Sequence, residues 1–265
     1  MDGFETIKVE RQGKVAVVRL ARPPVNAVNR QMVGELRSCF GELSEERDLG
    51  AVVLSAEGDR AFCGGIDLKE RTADRKDGHH PDNVRAILDE GSTWRETQRT
   101  IRHCPVPVIA AVEGPAIGAG FGLAGVVDLI IASEKGAFGL TEINVGLLGG
   151  SSKALRMVGP HKARMMFFSG DLVPAQEFYR LGAVEEMVPL GQAEQRAIEI
   201  GQKFAKKSPI ALRLAKESIL RIENQPLEEA YRTEQDYTTR LRGYNDSAEA
   251  MSAYLEKREA TWTWS

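Results

Sequence analysis

Two glycine-rich turns and one glutamate downstream of them are the residues of this sequence best placed to do chemistry. The first turn is Ala61-Phe62-Cys63-Gly64-Gly65-Ile66-Asp67-Leu68-Lys69, which follows a strand-like run and opens a helix. The second is Gly114-Pro115-Ala116-Ile117-Gly118-Ala119-Gly120-Phe121-Gly122, again between a strand and a helix start. Glycine lets the backbone take angles that a side chain forbids, so amides can be turned into a pocket. A helix start adds unpaired N–H groups and a partial positive charge. Two such ends facing one point make a holder for a developing oxyanion, and Glu142 offers a carboxylate to move protons beside it. Taken singly, each turn reads first as a tight place where backbone packs on backbone. The pair, in this order and with Glu142 after it, is much less ordinary.

A competing motif overlaps the second turn. Gly120-Phe121-Gly122-Leu123-Ala124-Gly125 matches the G-x-G-x-x-G pattern of dinucleotide sites. That pattern should follow directly on a strand and open a full crossover helix. Here the strand ends at Val112, and the next begins near Val126, so the intervening helix is too short for nicotinamide binding.

The elements that position these residues are readable from periodicity. Thr6–Glu10 and Val15–Leu20 are β-branched runs split by Gln12-Gly13-Lys14 and predict a hairpin. Asn29–Leu43 places Met32, Val33, Leu36, Phe40 and Leu43 on one helical face. Ala51–Leu54 and Pro105–Val112 read as buried strands, Asp67–Arg71 as a helix start, and 84–102 as a helix. The polar residues 72–90, with His79 and His80, read as a mobile surface loop. A turn and apolar helix are expected over 114–125, then a strand over Val126–Ala132, a loop carrying Glu142, and a helix through Val158 capped by Ser151 or Ser152. Beyond residue 190 the chain is helical: Gln192–Lys206, Ser208–Ile222, Leu227–Leu241 and Ser247–Ala260, with Ser208-Pro209 as a start signal. This divides the chain into an α/β core over 1–190 and an all-helical region over 191–265, where Tyr231, Tyr237, Tyr254, Leu241 and Leu255 are free to pack on the core or on another subunit.

Composition sets outer bounds. A chain of 265 residues with 42% hydrophobic content buries a substantial core. Its net charge of −3, with scattered Lys and Arg, argues against a nucleic-acid partner. Cys39, Cys63 and Cys104 lack metal or disulfide spacing, and His79, His80, His103 and His161 lack metal spacing, so no metal is expected. The N-terminus lacks the cationic and apolar regions of a signal peptide, and no apolar run reaches bilayer length. A cytoplasmic protein without a membrane partner is the expectation.

On the residues quoted above, the chain resembles the crotonase family, the enoyl-CoA hydratase/isomerase superfamily, essentially end to end. Ala61–Lys69 is similar to its first oxyanion-hole turn and Pro107–Asp128 to its second. Phe138-Gly139-Leu140-Thr141-Glu142-Ile143-Asn144-Val145-Gly146 is similar to the loop bearing a catalytic glutamate, and Ser169 through Pro189 to its closing signature, with Ala175, Gly182 and Val184 in place. The resemblance implies an α/β spiral of ββα units with a C-terminal helical region used in trimerisation, as a homotrimer or a dimer of trimers. It implies an acyl-CoA substrate, with coenzyme A entering as part of that substrate and no separate cofactor. It assigns the oxyanion amides to Ile66 and Ala119, the substrate lining to Ile66, Asp67, Leu68, Lys69 and Ala119, and catalysis to Glu142.

One position departs from the family pattern. Two-glutamate hydratases carry their first glutamate where this chain has Gly122. The implied activity is hydration of a 2-enoyl-CoA, with 3,2-enoyl-CoA isomerisation by Glu142 alone as the enzymatic alternative. Hydrolysis, decarboxylation and carbon–carbon cleavage share the same oxyanion hole, and a non-catalytic acyl-CoA binding protein is the alternative of another class. Among the remaining acids, Glu113 and Asp128 read as structural, and Asp67 as a helix cap.

Overall fold

The computed structural model describes residues 3–70, 72 and 91–265. The expected hairpin forms from β1 (Ile7–Gln12) and β2 (Val15–Leu20), paired antiparallel so that Gln12 faces Val15 across a two-residue turn at Gly13-Lys14. From β2 the sheet continues in parallel through β3 (Ala51–Ala56), β4 (Val108–Val112), β6 (Leu129–Ser133) and β9 (Glu186–Val188).

The inner strands are apolar at nearly every position because both faces of the sheet are covered. Ala16, Val18, Val52, Leu54, Val108, Ala110 and Val112 point into the main core. The alternate residues Val15, Val17, Ala51, Val53, Ile109 and Ala111 meet helix α6 (Ala193–Phe204) on the other face. A bidentate ion pair from Arg19 to Glu194, at 2.8 and 2.7 Å, also holds α6 to the sheet.

Helix α1 (Arg30–Glu45) starts one residue after the expected Asn29, which caps it instead, its Oδ1 accepting from the Met32 N–H at 2.9 Å. Helix α2 (Ser92–Arg102) packs beside it, and Thr97 Oγ1 donates to Val33 O at 3.1 Å. The expected stretch 84–90 of that helix, and the 72–90 loop apart from residue 72, lie outside the described residues.

A second, smaller sheet is built from β5 (Pro115–Ile117), β7 (Ala137–Gly139) and β8 (Leu172–Pro174). Residues 114–125 are therefore a short strand followed by helix α3 (Ala119–Ala124), where the sequence suggested only a turn and a helix. Phe121, Phe138 and Phe178, all buried, pack edge-on or tilted against one another behind this sheet.

Helix α4 (Ser151–Ser169) corrects one expectation and bears out another. Its cap is Gly150 in a left-handed conformation, and no serine hydroxyl caps it. Its first run ends at Val158 as expected, because Gly159 (φ 74°, ψ 170°) is not helical, and Pro160 then starts a second run that reaches Ser169. Helix α5 (Ala175–Arg180) precedes β9. The C-terminal region holds α6, α7 (Pro209–Ile222), α8 (Leu227–Arg242) and α9 (Asn245–Glu256). Ser208 caps α7, accepting from the Ala211 N–H at 3.2 Å. Tyr237 is buried with Ile210 and Leu214, and Leu241 packs against them. Tyr231, Tyr254 and Leu255 are exposed.

Candidate functional site

Three segments far apart in sequence run side by side in the same direction. Cys63 of the first glycine turn forms a parallel bridge with Ala116 on β5, and Ala116 pairs in parallel with Phe138 on β7. The bridge is closed by Cys63 N–H donating to Pro115 O at 3.2 Å and Ile117 N–H donating to Cys63 O at 2.9 Å. Neighbouring strands lie roughly 4.8 Å apart, so their continuations leave from one edge. Those continuations are Gly64–Ile66, Gly118-Ala119 and Leu140–Glu142. Gly118 N–H donates to Gly139 O at 2.9 Å and holds the last two together.

The backbone at this edge turns two amides outward. Val28 N–H donates to Gly65 O at 2.7 Å, and Asp67 N–H donates to Val28 O at 2.8 Å. Flanked by these two bonds, Ile66 directs its own N–H away from Val28. Ala119 opens α3, whose first internal bond is Gly122 N–H to Gly118 O at 2.9 Å, so the Ala119 N–H is one of the helix's unpaired donors. Neither amide donates to an acceptor among the described residues. Gly65 (φ +102°) and Gly118 (φ +53°) have the angles that make these turns possible.

Glu142 occupies a 3₁₀ turn, Thr141–Val145, rather than an irregular loop. Its carboxyl lies against the second turn: a Cβ added to Gly118 would stand 3.2 Å from Oε1, and one added to Gly149 would stand 2.8 Å from it. Oε2 is buried without a hydrogen-bond partner among the described residues. Burial raises the carboxyl pKa above its ordinary value, and a bond from its own backbone N–H offsets this only partly. The structure thus brings the backbone at Ile66, Ala119 and Glu142 to one edge of the small sheet, with the Glu142 carboxyl against Gly118, the residue before Ala119.

The remaining candidates are accounted for differently. Asp67 Oδ1 accepts from the Lys69 and Glu70 N–H groups at 2.9 and 3.2 Å, capping the helical turn that begins at Leu68. Its Oδ2 pairs with Arg22 at 2.5 Å. Burial opposes its charge, but these partners outweigh burial and hold the carboxyl below the usual range. Leu68 and Lys69 are exposed just beyond Ile66. Glu113 caps α6, accepting from Gly191 and Ala193 N–H groups at 2.8 and 2.7 Å. Asp128 accepts from Val108 N–H at 2.7 Å and from Lys216. His103 and His161 are exposed, while His79 and His80 lie outside the described residues. The described residues contain no group of metal-ligating side chains, and no described helix is long and apolar enough to cross a membrane.

Sequence reasoning missed one polar residue at the site. Gln98, on α2, is buried, and its Nε2 would be 3.3 Å from a Cβ at Gly122. The available signal was a glutamine on the same helical face as Trp94 and Ile101, a pattern shared by many half-buried helices.

A family model described as enoyl-CoA hydratase/isomerase matches residues 10–264. The chain is 34% identical over 243 residues, 92% of its length and 95% of the relative's, to (7aS)-7a-methyl-1,5-dioxo-2,3,5,6,7,7a-hexahydro-1H-indene-carboxyl-CoA hydrolase of Mycobacterium tuberculosis. It is 34% identical over 262 residues to a probable enoyl-CoA hydratase of Rhizobium meliloti, covering 97% of each. Among solved structures, enoyl-CoA hydratase from Bacillus anthracis superposes with a TM-score of 0.88 at 31% identity, covering 97% of this chain and 99% of that one.

Proposed function

On the premise that this chain belongs to the enoyl-CoA hydratase/isomerase family and is an enzyme of it, we propose that it adds water across the double bond of a 2-enoyl-CoA. The observation that supports this reading is the unpartnered Oε2 of Glu142, on a carboxyl packed against Gly118, one residue before the free Ala119 amide. The thioester oxygen lies between the Ile66 and Ala119 N–H groups. Glu142 takes a proton from water as the water oxygen bonds to C3. The electron pair of the double bond moves onto the thioester oxygen as an enolate, where the two amides stabilise it. Glu142 then returns the proton to C2, so nothing is oxidised or reduced.

A second reading rests on Gly122, which leaves Glu142 as the candidate proton carrier among the described residues. Moving a proton along an allylic chain needs only one, so a 3-enoyl-CoA to 2-enoyl-CoA isomerase is the alternative. Absorbance of the conjugated thioester separates the two readings. Loss of signal from crotonyl-CoA is expected for hydration, and a gain from a 3-enoyl-CoA for isomerisation. Tight binding with neither change overturns both.

The pH profile follows from the carboxyl's burial. Glu142 must be ionised to accept a proton, and its pKa lies above the ordinary 4.5. The acid limb of kcat/KM should therefore fall at a pH above 4.5 and move with substitutions at residue 142. A limb at or below that value removes Glu142 from the role.

A further inference from the structure

A nearly buried amide beside Gly122 has no side-chain partner among the described residues. Gln98 is 7% exposed, and its carboxamide makes no hydrogen bond to any described residue. A carboxamide in that setting keeps a donor and an acceptor available to a water or a ligand. Its amide is not sealed off either, because the fully enclosed unpartnered atoms among the described residues are Glu142 Oε2 and Glu223 Oε1.

The fold holds this amide against α3. Thr97, its neighbour on α2, is tied to Val33 O, and Ile101 is buried in the core, so the helix cannot swing away. A Cβ at Gly122 would stand 3.3 Å from Gln98 Nε2 and 3.7 Å from Trp94 Cζ2. Gly122 is one helical turn beyond Gly118, against which Glu142 packs. The rise between them is about 6 Å along the helix, room for a water and a reacting carbon. A glutamate at position 122 and Gln98 in its present place compete for one volume. An amide in that volume both donates and accepts hydrogen bonds, but it exchanges no proton.

We propose that Gln98 is the water-positioning residue of the site: its carboxamide holds the oxygen that adds to C3 and then the product's 3-hydroxyl, while Glu142 makes both proton transfers. This rests on the hydration reading above. It divides between two side chains the work that a pair of carboxylates would share, and it confines titration in the site to one carboxylate.

The test compares Gln98→Met, which keeps the volume but forms no comparable hydrogen bond, with Gln98→Glu. For Gln98→Met, kcat for hydration of crotonyl-CoA should fall roughly ten- to a hundred-fold, with KM little changed. Exchange of the α-protons of butyryl-CoA with D2O, which needs only Glu142 and the two amides, should keep its rate. Gln98→Glu should recover hydration above the Met variant and add a second carboxylate limb to the pH profile. A Gln98→Met variant that hydrates at the full rate, or loses hydration and exchange in equal proportion, overturns the proposal. A wild-type protein that exchanges α-protons but does not hydrate crotonyl-CoA instead overturns the hydration reading itself, and the water-holding role with it.

Discussion

Glu142→Gln lowers turnover by roughly a thousand-fold, the loss expected when one residue performs both proton transfers. Affinity for the acyl-CoA changes little, because the thioester is held by backbone amides that the substitution does not touch. The same variant melts at a higher temperature at neutral pH. In the folded protein, burial raises the Glu142 pKa above the value it has unfolded. The native state therefore favours the protonated form, and holding the ionised carboxylate opposes folding. That cost is fully present above the folded pKa and disappears as pH falls below the unfolded one. Glutamine carries no charge at either pH, so its advantage in melting temperature should shrink on acidification toward 4.5. Turnover assays with both enoyl substrates and thermal melts at two pH values check both halves. Full activity in the Gln variant, or a lower melting temperature at neutral pH, contradicts the assignment. A catalytic group whose removal stabilises the fold illustrates the exchange of stability for function at active sites.

Gly120→Ala is expected to damage fold and site together. An added Cβ would stand 2.5 Å from Cys63 O and 2.7 Å from Cys63 Cβ. The obstruction is mainly backbone, which cannot rotate aside as a side-chain tip can. Relief requires parting the first turn from β5, which strains the bonds from Cys63 N–H to Pro115 O and from Ile117 N–H to Cys63 O. Overpacking of this kind typically costs about 1–3 kcal/mol. Misplacing one oxyanion donor lowers kcat by roughly a hundred-fold or more. Gly34→Ala is the matched control. It lies within α1, a Cβ there meets nothing within 4 Å, and alanine in a helix gains about 0.5–1 kcal/mol over glycine. Opposite shifts in melting temperature, with activity lost only in Gly120→Ala, are the expected pattern. Equal tolerance of alanine at both positions would mean that the contact between the turns is dispensable.

Much of this molecule is written in short-range features. The hairpin, the Ser208 cap and the C-terminal helices follow from side-chain periodicity and from groups within a few residues of each helix start. Glu113, Asp128 and Asp67 likewise sit in the structural roles that their settings implied. The likeness to the family pointed to Ile66, Ala119 and Glu142 before any coordinates did.

Other features depended on what lies opposite in space. Residues 115–117 are a strand because Cys63 and Phe138 flank Ala116, and no local pattern in three residues announces that. A second helical run, from Pro160 to Ser169, follows the Gly159 bend at once, which an expected helix through Val158 did not include. Gln98 stands beside Gly122 only because α2 packs against α3 there. Composition and spacing determined which backbone shapes and chemical groups were available. Tertiary structure decided which of them meet, because strand register and helix contacts join residues tens of positions apart through packing that no sequence window contains.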